Sequence, residues 1–128
     1  MELLRPKKIF IVDDDEMQTE ALKDYLTRKI QHKVSVFQTG EDCLKHLDEN
    51  PDIIVLDYFL NSVDKNAANG MEVTQTRRKY NQNVHIIMLS SQEKYSIALQ
   101  SIAKGAEQYV IKDADAFEKI SAMVNEMD

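Results

Sequence analysis

Short apolar runs alternate with amphipathic stretches along the whole of this 128-residue chain. Each run is bounded by polar or charged residues, a pattern that is typical of strands buried on both faces of a sheet. The runs predict five strands, at Lys7–Val12, Lys33–Phe37, Ile53–Leu56, Val84–Leu89 and Tyr109–Ile111.

The stretches between and after these strands carry apolar residues at helical spacing. They predict helices at Glu16–Ile30, from Thr39 through Leu44 and Leu47, at Gly70–Tyr80, at Gln92–Lys104, and after Asp113. Asp15, Thr39 and Asp113 are residue types that cap the start of a helix, and Gly105 is a type that ends one. Residues 58–69 are predicted to form a loop.

Strict alternation of strands and helices predicts an α/β domain whose parallel sheet is covered on both faces. The chain is too short for a (β/α)8 barrel, which needs about 250 residues. We therefore predict a doubly wound five-stranded parallel sheet in the order 2-1-3-4-5, which is a flavodoxin-like (βα)5 fold. Residues 1–128 are expected to form this single domain.

Composition and charge limit the classes of protein to which this chain could belong. A hydrophobic fraction of 43% and a charged fraction of 30% are typical of a soluble globular domain, and no apolar run is long enough to span a membrane. The first residues lack the apolar core of a secretory signal, and the lone Cys43 excludes an internal disulfide, so we expect a cytoplasmic location. The net charge of −6 argues against direct nucleic-acid binding by this domain.

Polar side chains follow the apolar runs at the carboxyl ends of the strands, where open α/β sheets bind ligands. They are Asp13, Asp14 and Asp15 after the first run, Asp57 after the third, Ser90 and Ser91 after the fourth, and Lys112 after the fifth. Clustered carboxylates repel one another unless a cation is present, and Mg²⁺ prefers such oxygen ligands together with phosphate oxygens. The pattern predicts a phosphoryl site in which Asp57 is the nucleophile.

The chain resembles the receiver domain of two-component response regulators, and is similar to the chemotaxis receiver, over essentially its whole length. The resemblance is carried by IFIVDDD (9–15), DIIVLD (52–57), NGMEV (69–73), IIMLSS (86–91) and KGAEQYVIKD (104–113). Its most specific feature is the ordered set of an acid pair, a strand-end aspartate, a strand-end serine and a strand-end lysine.

The resemblance implies a chemical centre. Asp57 would be the phosphoacceptor, taking a phosphoryl group from a sensor histidine kinase or a histidine phosphotransfer protein. Asp13, Asp14, Asp57 and the backbone carbonyl of Phe59 would bind Mg²⁺, with Mn²⁺ as an alternative ion. Such a domain assists its own phosphorylation and dephosphorylation and is not a turnover enzyme.

The resemblance also implies a switch. Ser90 would donate a hydrogen bond to the phosphoryl group, and Lys112 would pair with it. Tyr109 matches the aromatic residue that moves inward with Ser90, so that a downstream protein or a fused output domain can detect phosphorylation.

Three features depart from the family pattern, and one of them is that Gly70 comes late. Proline is absent from residues 58–70, and 58–69 is an enlarged loop. Asp113 follows Lys112 where proline is usual, so we expect a trans peptide bond there, because the cis form of a non-proline bond costs about 2.5–4 kcal/mol.

Two other functions remain open. A phosphohydrolase of the haloacid-dehalogenase type would need a second acid two residues after the nucleophile, and Phe59 occupies that position. An interaction module that is never phosphorylated would be consistent with the altered 58–69 loop, whereas the complete set of acids, serine and lysine argues against it.

Overall fold

The structure is a computed structural model that describes residues 6–28, 30–57, 84–90 and 108–126. Its elements are β1 (Lys8–Val12), α1 (Glu16–Leu26), β2 (Lys33–Phe37), α2 (Gly40–Lys45), a 3-10 turn (Leu47–Glu49), β3 (Ile53–Asp57), β4 (His85–Ser90), β5 (Gln108–Ile111) and α3 (Ala116–Glu126). The predicted loop 58–69 and the predicted helices Gly70–Tyr80 and Gln92–Lys104 lie outside the described residues. None of the helices within the described ranges combines the length and the apolar character needed to cross a membrane.

The five strands form one parallel sheet in the order β2-β1-β3-β4-β5, which confirms the predicted topology. In this order β1 and β3 are neighbours, and Val12 lies opposite Leu56. Asp57, at the end of β3, lies opposite Leu89 of β4. The residues that end or directly follow these three strands are therefore brought to the same edge of the sheet.

Both faces of the sheet are buried, which explains why the strands are continuous apolar runs. Along β1, Phe10 and Val12 pack in a core that includes residues of α2. Ile9 and Ile11 pack in a second core with residues of α1 and α3. Each buried aliphatic or aromatic side chain of this kind contributes about 1.5–3 kcal/mol, so the strand ends are rigidly supported.

The first helix is shorter than predicted, because α1 ends at Leu26 and not at Ile30. The backbone N–H and the Oγ1 hydroxyl of Thr27 both donate to the carbonyl oxygen of Lys23, at 3.2 Å and 2.9 Å. A threonine hydroxyl competes with the backbone for helix carbonyls, and here it accompanies the end of the helix. At the other end, the Asp15 carboxylate accepts a hydrogen bond from the Gln18 N–H and caps α1 as predicted.

The other two helices begin close to their predicted starts. The Thr39 hydroxyl accepts a hydrogen bond from the Asp42 N–H at 3.2 Å and caps α2. The Asp113 carboxylate accepts from the Asp115 N–H, and α3 begins one residue later, at Ala116. Asp113 therefore organises the turn that leads into α3, and does not itself cap the first turn of the helix.

Candidate functional site

The candidate site lies at the carboxyl ends of four neighbouring strands. Asp13 directly follows β1, Asp57 ends β3, Ser90 ends β4 and Lys112 directly follows β5. The exposed fraction is 3% for Asp13, 5% for Asp57 and 0% for Ser90. Because the apolar strands end here, these polar groups are held against the hydrophobic cores and mostly out of water.

Three carboxylates from two strands meet at this edge of the sheet. Asp13, Asp14 and Asp57 each offer one carboxylate oxygen, and these oxygens lie within 4.8 Å of one another. Two carboxylates at about 5 Å repel by about 3 kcal/mol at an effective dielectric constant near 20. This all-oxygen donor set fits a hard divalent cation such as Mg²⁺.

Lys112 brings a positive charge to the same group of acids. Its Nζ atom lies 3.3 Å from Oδ1 of Asp57 and 3.6 Å from Oδ2 of Asp13. The three carboxylates and this ammonium carry a net charge of −2 when all four groups are ionised. This excess negative charge favours the binding of either a proton or a further cation by the four groups.

Asp13 responds most strongly to this environment, and its pKa is raised from 3.8 to about 7. Burial of the carboxyl group is the largest cause, followed by the negative charge of Asp57. The hydrogen bond from the Asp15 N–H, at 3.0 Å, and the charge of Lys112 oppose the rise. Burial and the charge of Asp57 thus favour the protonated form of Asp13, and a bound cation could take the place of that proton.

A tight turn after β5 holds the backbone of Lys112. The Lys112 N–H donates to the Ser90 carbonyl oxygen at 2.8 Å, and the Asp113 N–H donates to the Ile111 carbonyl oxygen at 2.9 Å. The Lys112–Asp113 peptide bond is trans, as expected, since the described residues contain no cis bond. The sequence places a connection here, between the strand that ends at Ile111 and the helix after Asp113, but it does not specify these two hydrogen bonds.

The pairing of Lys112 with Asp13 is also absent from the sequence prediction, which assigns this lysine to the phosphoryl group only. The two residues follow β5 and β1, and these strands are separated in the sheet by β3 and β4. Their distance therefore depends on the strand order and the sheet twist, which no local pattern encodes.

The predicted switch residue and the predicted backbone ligand both stay predictions, for different reasons. Tyr109 is half-buried, packs against the core that contains residues of α2, and lies opposite Met88 of β4. Its role with Ser90 stays a prediction. Phe59 lies outside the described residues, so its carbonyl contact with a metal also stays a prediction.

Comparison with known proteins identifies relatives of similar sequence. The chain is 33% identical over 107 residues to the alkaline phosphatase synthesis transcriptional regulatory protein PhoP of Bacillus subtilis, covering 83% of this chain and 42% of PhoP. It is 27% identical over 113 residues to the response regulator protein VraR of Staphylococcus saprophyticus, covering 87% of this chain and 52% of VraR. The chain thus spans about half the length of these relatives.

The chain is also similar to a solved structure and matches a known protein family. The BeF3-activated receiver domain of DrrB superposes with a TM-score of 0.81 at 27% identity, over 94% of this chain and 95% of that one. Residues 9–125 match the family of response regulator receiver domains. With the match covering nearly the whole sheet and its strand-end acids, the chain belongs to the response regulator receiver domain family.

Proposed function

We propose that Asp57 accepts a phosphoryl group in a two-component signalling pathway. One observation carries the proposal: Asp57 ends the central strand of the sheet, joins the acidic cluster, and lies 3.3 Å from the Lys112 ammonium. Its low exposure and its place on β3 hold the carboxylate in a fixed position. A positioned aspartate carboxylate is a known type of phosphoryl acceptor.

In the proposed transfer, an Asp57 carboxylate oxygen attacks the phosphorus of a phosphohistidine. The new P–O bond forms as the P–N bond breaks, and the histidine nitrogen keeps the electron pair. Catalysis of this type depends on positioning and charge stabilisation, since little other covalent chemistry is needed. Attack of water on phosphorus later releases inorganic phosphate and restores the carboxylate, so the domain assists both steps without being a turnover enzyme.

Lys112 and Ser90 act on the transferred group. The Lys112 ammonium pairs with the phosphoryl oxygens, which carry negative charge in the transition state and in the product. The Ser90 hydroxyl donates a hydrogen bond to one of these oxygens from the end of the strand next to Asp57. Because Ser90 is fully buried, reorienting its hydroxyl repacks its surroundings, and Tyr109 on the adjacent strand is our candidate for the residue that responds.

Asp13, Asp14 and Asp57 would hold Mg²⁺ or Mn²⁺, together with the backbone carbonyl of Phe59. When bound, the divalent ion neutralises charge on the carboxylates and on the phosphoryl oxygens. The raised pKa of Asp13 supports this assignment, because burial and the charge of Asp57 both disfavour its carboxylate, and a bound cation would favour it. The hydrogen bond from the Asp15 N–H orients Asp13 toward the cluster.

The partners belong to the same proposal. A sensor histidine kinase or a histidine phosphotransfer protein would supply the phosphoryl group, and a downstream protein or a fused output domain would detect it. We propose that this exchange takes place in the cytoplasm. The net charge of −6 fits recognition by proteins better than binding of nucleic acid by this domain.

Phosphorylation of the chain by acetyl phosphate tests the proposal. Intact-mass analysis should show one added phosphoryl group in the presence of Mg²⁺ and none in EDTA. Asp57→Asn should abolish the addition. Asp52→Asn is the matched control, because Asp52 lies near the opposite end of β3, and its side chain accepts from the Lys8 N–H, which an asparagine oxygen can also do. Equal labelling of Asp57→Asn and the parent would overturn the assignment.

A further inference from the structure

The turn between β5 and α3 connects the site lysine to a helix that has one face buried in the core. We infer that Asp113 is a positioning residue, which holds Lys112 against the acidic cluster by fixing this turn. The inference rests on the proposed function, because it assigns Asp113 a part in the same phosphoryl transfer. Its basis is the set of contacts around Lys112, Asp113 and the start of α3.

Lys112 is the central residue of a three-residue turn. The Asp113 N–H donates to the Ile111 carbonyl oxygen at 2.9 Å, which closes the turn around Lys112. The Lys112 N–H donates to the Ser90 carbonyl oxygen at 2.8 Å, which ties the turn to β4. The direction in which the Lys112 side chain leaves the backbone is therefore set by this turn.

Asp113 ties the other side of the turn to the first part of α3 and to the residue before it through three contacts. Its Oδ1 atom accepts from the Asp115 N–H at 2.9 Å, and its backbone oxygen accepts from the Ala116 N–H at 3.2 Å. Its Oδ2 atom lies 3.5 Å from the Lys119 Nζ. Both carboxylate oxygens are thus used within the turn and the first part of the helix.

The helix at the other end of these contacts is firmly held. Ile120 and Val124 of α3 are fully buried in the core that also contains residues of α1. Asp113 therefore links the Lys112 turn to a rigid element. This link matters because Lys112 has a long side chain whose ammonium must stay close to both Asp57 and Asp13, and small errors in placement reduce reaction rates strongly.

Two substitutions at one position separate the contacts. Asp113→Ala removes both carboxylate oxygens, whereas Asp113→Asn keeps an oxygen that can accept from the Asp115 N–H. We expect Asp113→Ala to slow phosphorylation by acetyl phosphate about three- to ten-fold, and Asp113→Asn to stay within about two-fold of the parent. Asp24→Ala is the matched control, because it breaks an exposed pair of similar length with Arg28, at 3.4 Å, on a different helix. It should leave the rate unchanged.

A second measurement reads the placement of Lys112 without any phosphorylation. In the NMR spectrum of the lysine ammonium groups, the Lys112 signal is assigned by its loss in Lys112→Ala. We expect Asp113→Ala to shift or broaden this signal, and Asp113→Asn and Asp24→Ala to preserve it. A loss of stability alone does not move a side-chain signal of the folded protein, so this readout is specific to positioning.

The outcomes distinguish the two proposals. If the parent is labelled on Asp57 while Asp113→Ala reacts equally fast and keeps the Lys112 signal, the inference about Asp113 is wrong and the proposed function stands. Equal slowing of Asp113→Ala and Asp113→Asn with an unchanged Lys112 signal also overturns it, because the rate would then depend on the charge of Asp113 and not on the position of Lys112. If the parent takes no label, the proposed function is wrong, and the ammonium signal still decides whether Asp113 positions Lys112.

Discussion

Replacing Asp13 with asparagine should stabilise the metal-free domain at high pH. The Asp13 carboxyl group is 3% exposed, and its pKa rises from 3.8 to about 7 mainly through burial and then through the charge of Asp57. Its ionised form is therefore costly in the folded state. Asparagine keeps an oxygen that can accept from the Asp15 N–H, so the variant removes the charge with little change in shape.

The size of the effect follows from the pKa. The difference between 3.8 and about 7 corresponds to about 4 kcal/mol, at about 1.4 kcal/mol per pKa unit. This value is an upper limit for the substitution, because Lys112 loses one of its two carboxylate partners in the variant. We expect Asp13→Asn to raise the free energy of unfolding by about 2–3 kcal/mol at pH 8 without metal.

The direction of the pH dependence is set by the raised pKa. Below pH 3.8 the carboxyl group is protonated in both states. As the pH rises, the unfolded chain releases this proton first, while the folded domain keeps it until about pH 7. The contribution of Asp13 to stability is thus complete at low pH and is lost as the pH rises through about 7. The variant and the parent should differ little near pH 4.

Urea unfolding followed by circular dichroism at several pH values, in EDTA and in Mg²⁺, measures these effects. Mg²⁺ should stabilise the parent, by about 2.7 kcal/mol at one hundred times its dissociation constant, and should have little effect on Asp13→Asn. Asp15→Asn is the control, since it removes a nearby charge but keeps the cap on α1. If Asp13→Asn is less stable than the parent at pH 8 in EDTA, or if their difference does not change with pH, our account of the buried carboxyl group is wrong.

Two further predictions concern buried groups away from the site. His32 is 6% exposed, and its Nδ1 accepts a hydrogen bond from the Lys7 N–H at 2.9 Å. Burial should therefore lower the pKa of His32 below 6.5. The contribution of His32 to stability should be present above pH 6.5 and should be lost as the pH falls through the lower pKa of the folded state. An NMR titration of the ring measures this, and a raised pKa would contradict it. Cys43 is fully buried, and burial raises its pKa to about 12. Iodoacetamide should therefore modify Cys43 only to the extent that urea unfolds the protein. Rapid labelling of the folded protein would refute this prediction.

Local patterns in the sequence were sufficient for the sheet but not for every boundary. The apolar runs predicted all five strands to within one residue at each end, because strands buried on both faces leave a continuous apolar signal. The end of α1 was wrong by four residues, since Leu26 and Ile30 both fit helical spacing. The contacts of Thr27 with Lys23, which accompany the end of the helix, are invisible to a pattern of apolar positions.

The candidate site, too, has some properties that follow from the sequence and others that only the tertiary structure sets. The sequence determined which groups gather at the sheet edge, because the residues at the ends of parallel strands follow directly from where the apolar runs stop. The tertiary structure alone decided that Lys112 lies between Asp57 and Asp13, that Asp13 is buried enough to have a pKa of about 7, and that Asp113 connects the lysine turn to α3. These properties depend on distances between segments that are far apart in the chain, and the strand order, the twist of the sheet and the packing of the helices set those distances.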